Sequence, residues 1–246
     1  MPDLSGYAAS DAASKLLPAV MPPTTQALPT QEAGFAPSRA LPYVLNTTAW
    51  TSASGIVTLN FINAGAQGAV FHVYDQLNLN RIPRRYTVEA GKTLSDDFWN
   101  TFSTNYVAAP SGSYNLWVYG PNGFVRVFQG IISSQNAQPE VQFAYDTAEA
   151  GIRIGLRNNS SKTVQFTVTD NAYGSGAPQT IPVQPGKIAE LFLSVRTTHN
   201  WYDVSVTSEN GFLRQFAGRL EDGMHHITDP KMGRPVAPYT SPAFRL

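Results

Sequence analysis

From Tyr43 onward the chain is written in short runs in which apolar and polar side chains alternate. In its first half these runs are Tyr43–Trp50, Gly55–Ile62, Ala69–Asp75, Arg85–Glu89, Lys92–Phe98, Tyr114–Tyr119 and Phe124–Ile131. Between them stand Asn63-Ala64-Gly65, Ala90-Gly91, Pro110-Ser111-Gly112 and Pro121-Asn122-Gly123. Period-two alternation sends successive side chains to opposite faces, and Gly, Asn and Pro supply the turns, so the pattern predicts antiparallel strands. Phe71, Val73, Phe166 and Val168 alternate with polar neighbours and are expected to face the core, as are Phe128 and Phe216. Asn122-Gly123 and Asn210-Gly211 are the strongest hairpin signals, because both residue types accept the positive φ of a type I′ turn.

The same pattern occurs twice. The first copy runs through Asn63, Phe71-x-Val73-x-Asp75, Pro83 and Gly91-Lys92 to Asn122-Gly123-Phe124-x-Arg126-x-Phe128-x-Gly130. The second runs through Asn159, Phe166-x-Val168-x-Asp170, Pro178 and Gly186-Lys187 to Asn210-Gly211-Phe212-x-Arg214-x-Phe216-x-Gly218. Asp to Pro is eight positions in both, and Pro to Gly is again eight. A unit of about ninety residues is far longer than a solenoid repeat and predicts two similar domains. Each has six or seven strands, so the expected fold is all-β: two tandem immunoglobulin-like antiparallel β-sandwich domains. Residues 1–42 carry Pro18, Pro22, Pro23, Pro29, Pro37 and Pro42, with a short helix possible near Ala8–Leu17, and read as a Pro-rich extended connector. The boundaries that follow are connector 1–42, first sandwich 43–134, second sandwich 139–233 and a tail 234–246.

Seventeen basic residues balance seventeen acidic ones, which argues against a nucleic-acid partner. The absence of Cys excludes disulfides and Cys-ligated metal. No apolar run reaches the length of a membrane span, and no signal peptide opens the chain. Met1 before Pro2-Asp3 has the look of an added start, so the chain reads as an excerpt of something longer.

A catalytic constellation is not visible. The four histidines, His72, His199, His225 and His226, lack metal-ligand spacing, and His72 is expected on the solvent face of its strand. The acidic doublets Asp96-Asp97 and Glu221-Asp222 lack the dense oxygen ladder of a calcium loop and read as a solvated strand edge or a turn. No Gly-x-Ser-x-Gly elbow and no phosphate loop occur. No metal or cofactor is therefore expected. Arg126 and Arg214 admit two readings: a bidentate grip on phosphate or carboxylate, or a pair with an acid across the hairpin that fixes its register. Their retention in both copies favours the second, since shared residues report shared fold first. Arg84-Arg85, and the aromatics Phe98-Trp99, Phe102 and Tyr106, belong to the first copy only.

These residues resemble a family. Gly68-Ala69-Val70-Phe71-His72-Val73-Tyr74-Asp75, Pro83-Arg84-Arg85-Tyr86-Thr87-Val88 and Leu116-Trp117-Val118-Tyr119-Gly120-Pro121-Asn122-Gly123-Phe124-Val125-Arg126 are similar to the C-terminal repeat domain of bacterial phospholipases C of the non-haemolytic and haemolytic type. The second copy resembles its tandem partner through Trp201-Tyr202-Asp203-Val204, Arg214-Gln215-Phe216-Ala217-Gly218-Arg219 and Thr228-Asp229-Pro230-Lys231-Met232-Gly233. Pro29-Thr30-Gln31-Glu32-Ala33-Gly34 and Pro37-Ser38-Arg39-Ala40-Leu41-Pro42-Tyr43 resemble the family's connector.

The resemblance implies an exported parent, secreted or periplasmic, whose N-terminal phosphoesterase domain cleaves phosphatidylcholine-type lipids to diacylglycerol and a phosphorylated headgroup. On that reading the catalytic domain precedes Pro2, and no catalytic residue falls in this chain. The expected partners are that domain and a phospholipid membrane surface, with Arg84, Arg85, Trp99 and Phe102 as contact candidates. Asn122, Gly123, Phe124, Arg126, Asn210, Gly211, Phe212 and Arg214 form the structural motif of the repeats. A purely structural cover for the catalytic domain, and a self-standing carbohydrate-binding or adhesion sandwich, are the competing expectations.

Overall fold

The computed structural model describes residues 6–18, 21, 34–52, 56–98, 112–132, 139–174 and 176–232. Helix α1, Tyr7–Lys15, falls where a short helix is expected; it buries none of its residues and carries an Asp11–Lys15 pair at 2.8 Å. Most of the connector and the tail 234–246 lie outside the described residues.

Residues 33–234 form one compact unit. It opens with the two-residue strand β1, Pro37–Ser38. The first copy then contributes β2 (Leu45–Thr51), β3 (Val57–Asn63), β4 (Ala69–Asp75), β5 (Arg84–Val88), β6 (Lys92–Phe98), β7 (Ser113–Tyr119) and β8 (Val125–Ile131). The second contributes β9 (Glu140–Asp146), β10 (Gly151–Arg157), β11 (Val164–Asp170), β12 (Gln179–Val183), β13 (Ile188–Ser194), β14 (Trp201–Thr207) and β15 (Leu213–Arg219), and β16 (His226–Ile227) closes the unit. In each copy a sheet of three, β2-β3-β6 or β9-β10-β13, packs on four antiparallel strands, β5-β4-β7-β8 or β12-β11-β14-β15.

The alternating runs fold this way because the inward-facing residues of the central strands are buried. Phe71, Phe166, Phe128, Phe216, Val73 and Val168 all lie in the two cores. Both Asn-Gly turns have positive φ at both residues (56° and 73° at Asn122-Gly123, 58° and 71° at Asn210-Gly211). Each is closed by a hydrogen bond from the Phe amide, Phe124 to the Pro121 carbonyl and Phe212 to that of Glu209.

The equivalence of Asn63 with Asn159 is corrected to Asn158. Asn63 and Asn158 are both fully buried and make the same bonds: Nδ2 donates to the carbonyls of Gln67 and Val88 in one copy, and of Lys162 and Val183 in the other. The amide ties a turn to a strand 25 residues on, at the same separation in both copies. Beside it, Gly65 has no substitute, because a Cβ there would stand 2.2 Å from the Pro42 carbonyl oxygen.

The two sandwiches are not separate beads. β8 pairs with β15, so the two four-stranded layers form one eight-stranded sheet in the order β12-β11-β14-β15-β8-β7-β4-β5. The opposite layer is split, with a groove of about 770 Å³ between β2 and β9 lined by Trp50, Gln142 and Arg157.

Candidate functional site

The β8–β15 seam follows an internal two-fold relation. Repeat-equivalent residues of these strands are 88 positions apart, and the register places Arg126 opposite Phe216 and Phe128 opposite Arg214. Each arginine therefore sits against the other copy's phenylalanine. Both are fully buried.

Their contacts repeat across the seam. Arg126 Nη1 donates to the carbonyls of Val125 and Ala217, both at 2.9 Å, and Arg214 Nη1 donates to those of Leu213 and Gln129, both at 3.0 Å. Arg126 Nη2 reaches the Tyr202 hydroxyl at 3.1 Å, and Arg214 Nη2 reaches that of Tyr114 at 2.8 Å. The guanidinium of Arg126 stacks on Phe124 at 4.2 Å and Phe143 at 4.6 Å; that of Arg214 stacks on Phe212 at 4.4 Å.

The final glycine of the repeated motif makes this reach possible. Tyr114 and Tyr202 pair across their hairpins with Gly130 and Gly218. A Cβ on Gly130 would stand 2.7 Å from the Tyr114 hydroxyl, so the ring lies across a position with no side chain. Burial holds both tyrosine hydroxyls above their ordinary pKa, and they stay neutral donors and acceptors.

The two arginines differ in their counter-charge. Arg214 meets the carboxylate of Glu140 on β9 in bidentate fashion, Nε to Oε1 at 2.7 Å and Nη2 to Oε2 at 2.8 Å. Burial opposes the Arg214 charge, but Glu140 and Tyr114 together outweigh it and the pKa is raised. Among the described residues no carboxylate pairs with Arg126; its remaining partner is the Tyr145 hydroxyl at 3.0 Å. Tyr145 in turn donates to the Leu45 carbonyl, which carries the seam into the split layer. The acid expected across the hairpin is thus corrected: Arg214 takes one from the opposite layer, and Arg126 takes tyrosines and ring faces. With no exposed surface, neither grips a ligand.

A second node clamps the connector. Arg219, at the end of β15, chelates Glu221 at 2.8 and 2.9 Å and donates to Ser38 Oγ at 2.9 Å and the Arg39 carbonyl at 3.1 Å. Glu221 also accepts from the Leu41 amide and from Asn122 Nδ2. Of the expectation of a solvated strand edge or a turn, Asp222 caps a turn through the Met224 amide, but Glu221 is not solvated: its side chain is 7% exposed because it neutralises a buried guanidinium. Beyond it, β1 pairs with β16, so residues that lead into the first copy are held by the second. Glu221→Gln is expected to open the exposed bond after Arg39 to trypsin roughly tenfold faster, since it removes the charge of a buried pair. A digestion time course read by mass spectrometry checks this, and an unchanged rate would remove the clamp.

Of the contact candidates, Arg84 is engaged within the fold: Nη1 lies 2.7 Å from Asp96 Oδ2, and the guanidinium is 4.4 Å over Phe98. The Tyr86 hydroxyl donates to the same Asp96 oxygen, and burial together with that carboxylate raises its pKa. Arg85 is exposed. Trp99 and Phe102 lie outside the described residues. His72 is half-buried, and His226 Nε2 lies 3.0 Å from the Asp222 carboxylate.

The sequence reading passed over the loop joining β4 to β5. Leu77, Leu79 and Ile82 are 43, 65 and 87% exposed there, over a cavity of about 370 Å³ lined by Tyr74, Pro83 and Phe98. The signal was present as three large aliphatic residues within a turn-rich segment bounded by Asp75 and Pro83.

Comparison with known proteins bears on all of these features. The sequence profile of the family described as bacterial phospholipase C, C-terminal domain, matches residues 37–131 and again 139–219. A non-hemolytic phospholipase C of Pseudomonas aeruginosa is 41% identical over 241 residues, covering 95% of this chain and 34% of the relative. One from Burkholderia pseudomallei is 41% identical over 236 residues, covering 94% and 32%. A hemolytic phospholipase C of P. aeruginosa is 34% identical over 233 residues, covering 83% and 30%. The chain thus spans about a third of the length of these relatives. Among solved structures, the human OSCAR ligand-binding domain covers 72% of this chain and 97% of its own at 14% identity and a TM-score of 0.24, a likeness that carries no argument.

Proposed function

The chain belongs to the family of bacterial phospholipase C C-terminal domains, and from that premise we propose that it is the non-catalytic C-terminal region of a secreted phospholipase C. It docks against the N-terminal phosphoesterase domain of the same polypeptide and holds that domain at a phospholipid surface. The parent hydrolyses phosphatidylcholine-type lipids to diacylglycerol and a phosphorylated headgroup. Arg85, with Trp99 and Phe102, supplies basic and aromatic contacts to headgroups or to the partner domain, while Arg84 is held by Asp96.

The observation that supports this most is the seam. Two sandwiches joined through one sheet and two reciprocal buried arginines make a stiff body, suited to fixing geometry between a partner and a surface. A non-catalytic role is further supported by the engagement of carboxylates in structural pairs: Asp96 with Arg84 and Tyr86, and Glu221 with Arg219.

Docking is tested by mixing this chain with the separately produced N-terminal portion of a parent enzyme and following association by analytical ultracentrifugation. A one-to-one complex is expected. Two species sedimenting independently at every concentration reached would remove the docking role.

A further inference from the structure

We propose that the Gln76–Pro83 loop is a lipid-contact tip: Leu77, Leu79 and Ile82 enter the interface of an anionic phospholipid bilayer while the exposed Arg85 beside them meets the headgroups. The inference deepens the positioning role above and rests on that reading for its setting, but its residues and its test are its own.

The first observation is a concentration of apolar surface that the fold does not require. Single exposed aliphatics are ordinary, whereas three within one eight-residue loop, one of them 87% exposed, form a patch that invites a partner. The second copy shows that the sandwich closes without them. Its equivalent loop, Asn171-Ala172-Tyr173-Gly174-Ser175-Gly176-Ala177, has no large aliphatic residue, and its Tyr173 hydroxyl folds back to donate to Asp229 Oδ1 at 2.8 Å.

The second observation is that the tip is built. The Asp75 carboxylate accepts from the Leu77 amide at 3.1 Å and from Asn78 Nδ2 at 2.7 Å. The Gln76 amide donates to the Asn115 carbonyl, that of Asn78 to Asp75, and that of Arg81 to Asn78. Successive turns thus hold the backbone while its aliphatic side chains point away from the core. A segment already ordered loses little entropy on insertion, so apolar burial is not spent on folding the loop.

Charge and composition select the occupant. From Asp75 to Arg85 the chain carries three arginines and one aspartate, a charge of +2 that Asp96, paired with Arg84, reduces to +1. Arg84 is tied to Asp96, whereas Arg85 is exposed next to the tip. Protein interface cores are enriched in aromatics, and the loop has none from Gln76 to Pro83. Aliphatic residues at a protruding turn with cations behind them match a bilayer, where acyl chains take the former and anionic headgroups the latter.

The test is co-sedimentation of the full chain with vesicles of an equimolar mixture of phosphatidylcholine and phosphatidylglycerol. The wild type is expected to bind and to be released by salt, and the triple variant Leu77→Ser, Leu79→Ser, Ile82→Ser to bind roughly tenfold more weakly. All three side chains are exposed, so the variant keeps the wild-type Tm. Arg85→Glu is expected to weaken binding to the mixed vesicles while leaving the weaker binding to pure phosphatidylcholine unchanged. Absence of wild-type binding, or equal binding by the triple variant, overturns the proposal. The variants are also run in the ultracentrifuge assay with the N-terminal portion. Docking retained while vesicle binding is lost supports the tip. Docking lost by the triple variant, with no wild-type binding to vesicles, makes the loop a protein contact and sinks the lipid assignment. Vesicle binding by the wild type with no docking at all leaves the tip standing and removes the docking role instead.

Discussion

Replacing Arg126 by alanine is expected to destabilise the double sandwich by roughly 3–5 kcal/mol, a fall of about 6–20 °C in Tm for a body of this size. The substitution removes a side chain wedged between rings of both copies and leaves the Ala217 carbonyl and the Tyr202 hydroxyl short of a donor. Buried polar groups stripped of one partner lose their full solvation without return. Arg126→Lys is the informative companion. It keeps the charge but not the planar fork or the stacking, and is expected to lose most of the same stability. A calorimetric scan in which either variant melted with the wild type would mean that the seam contributes nothing to the fold.

The second large effect is expected at Glu140. Its removal leaves Arg214 fully buried with hydroxyl and carbonyl partners but no counter-charge, and Glu140→Ala should cost about 3–5 kcal/mol in urea unfolding. Removing both partners is expected to be less harmful than removing the acid alone, because an apolar pair needs no neutralising. Glu140→Leu combined with Arg214→Met should therefore recover stability relative to Glu140→Ala. Losses for Glu140→Leu and Arg214→Met made singly that add up strictly in the double variant would show that the ion pair is not coupled. The contrast with Arg126 sharpens the test, since related positions complete the same burial once with a carboxylate and once with the Tyr145 hydroxyl.

How much of this was legible depends on how far apart the contacting residues lie. The strands of the first copy fall within two residues of their alternating runs, and the Asn-Gly turns are where positive φ is tolerated, because both signals are local. The buried arginines were legible by parity and were missed. If Phe128 faces the core, Arg126 two residues earlier on the same strand must face it as well. What no local pattern contains is the pairing of β8 with β15, because an edge strand alternates in the same way whether its outer edge meets water or another strand. The partner of Arg126 on the opposing strand is Phe216, ninety positions on. The doublet Asn158-Asn159 misled for a related reason, since either residue fits the motif until the carbonyl of Val183 chooses one. Leu77, Leu79 and Ile82 were hidden by their setting, since a turn-rich loop is read for its Asn and Pro rather than for its aliphatics.

The β1–β16 ribbon has a mechanical corollary. Strands that enter and leave the body lie side by side, and Ala36 and Thr228 exchange hydrogen bonds at that point. Adjacent ends are the geometry that lets a folded unit be spliced into another chain. A pull on the two flanking segments would also be taken first by this ribbon of two residue pairs, which can peel apart one bond at a time. The ribbon therefore yields before the load reaches β2 and β15, which are held within larger sheets.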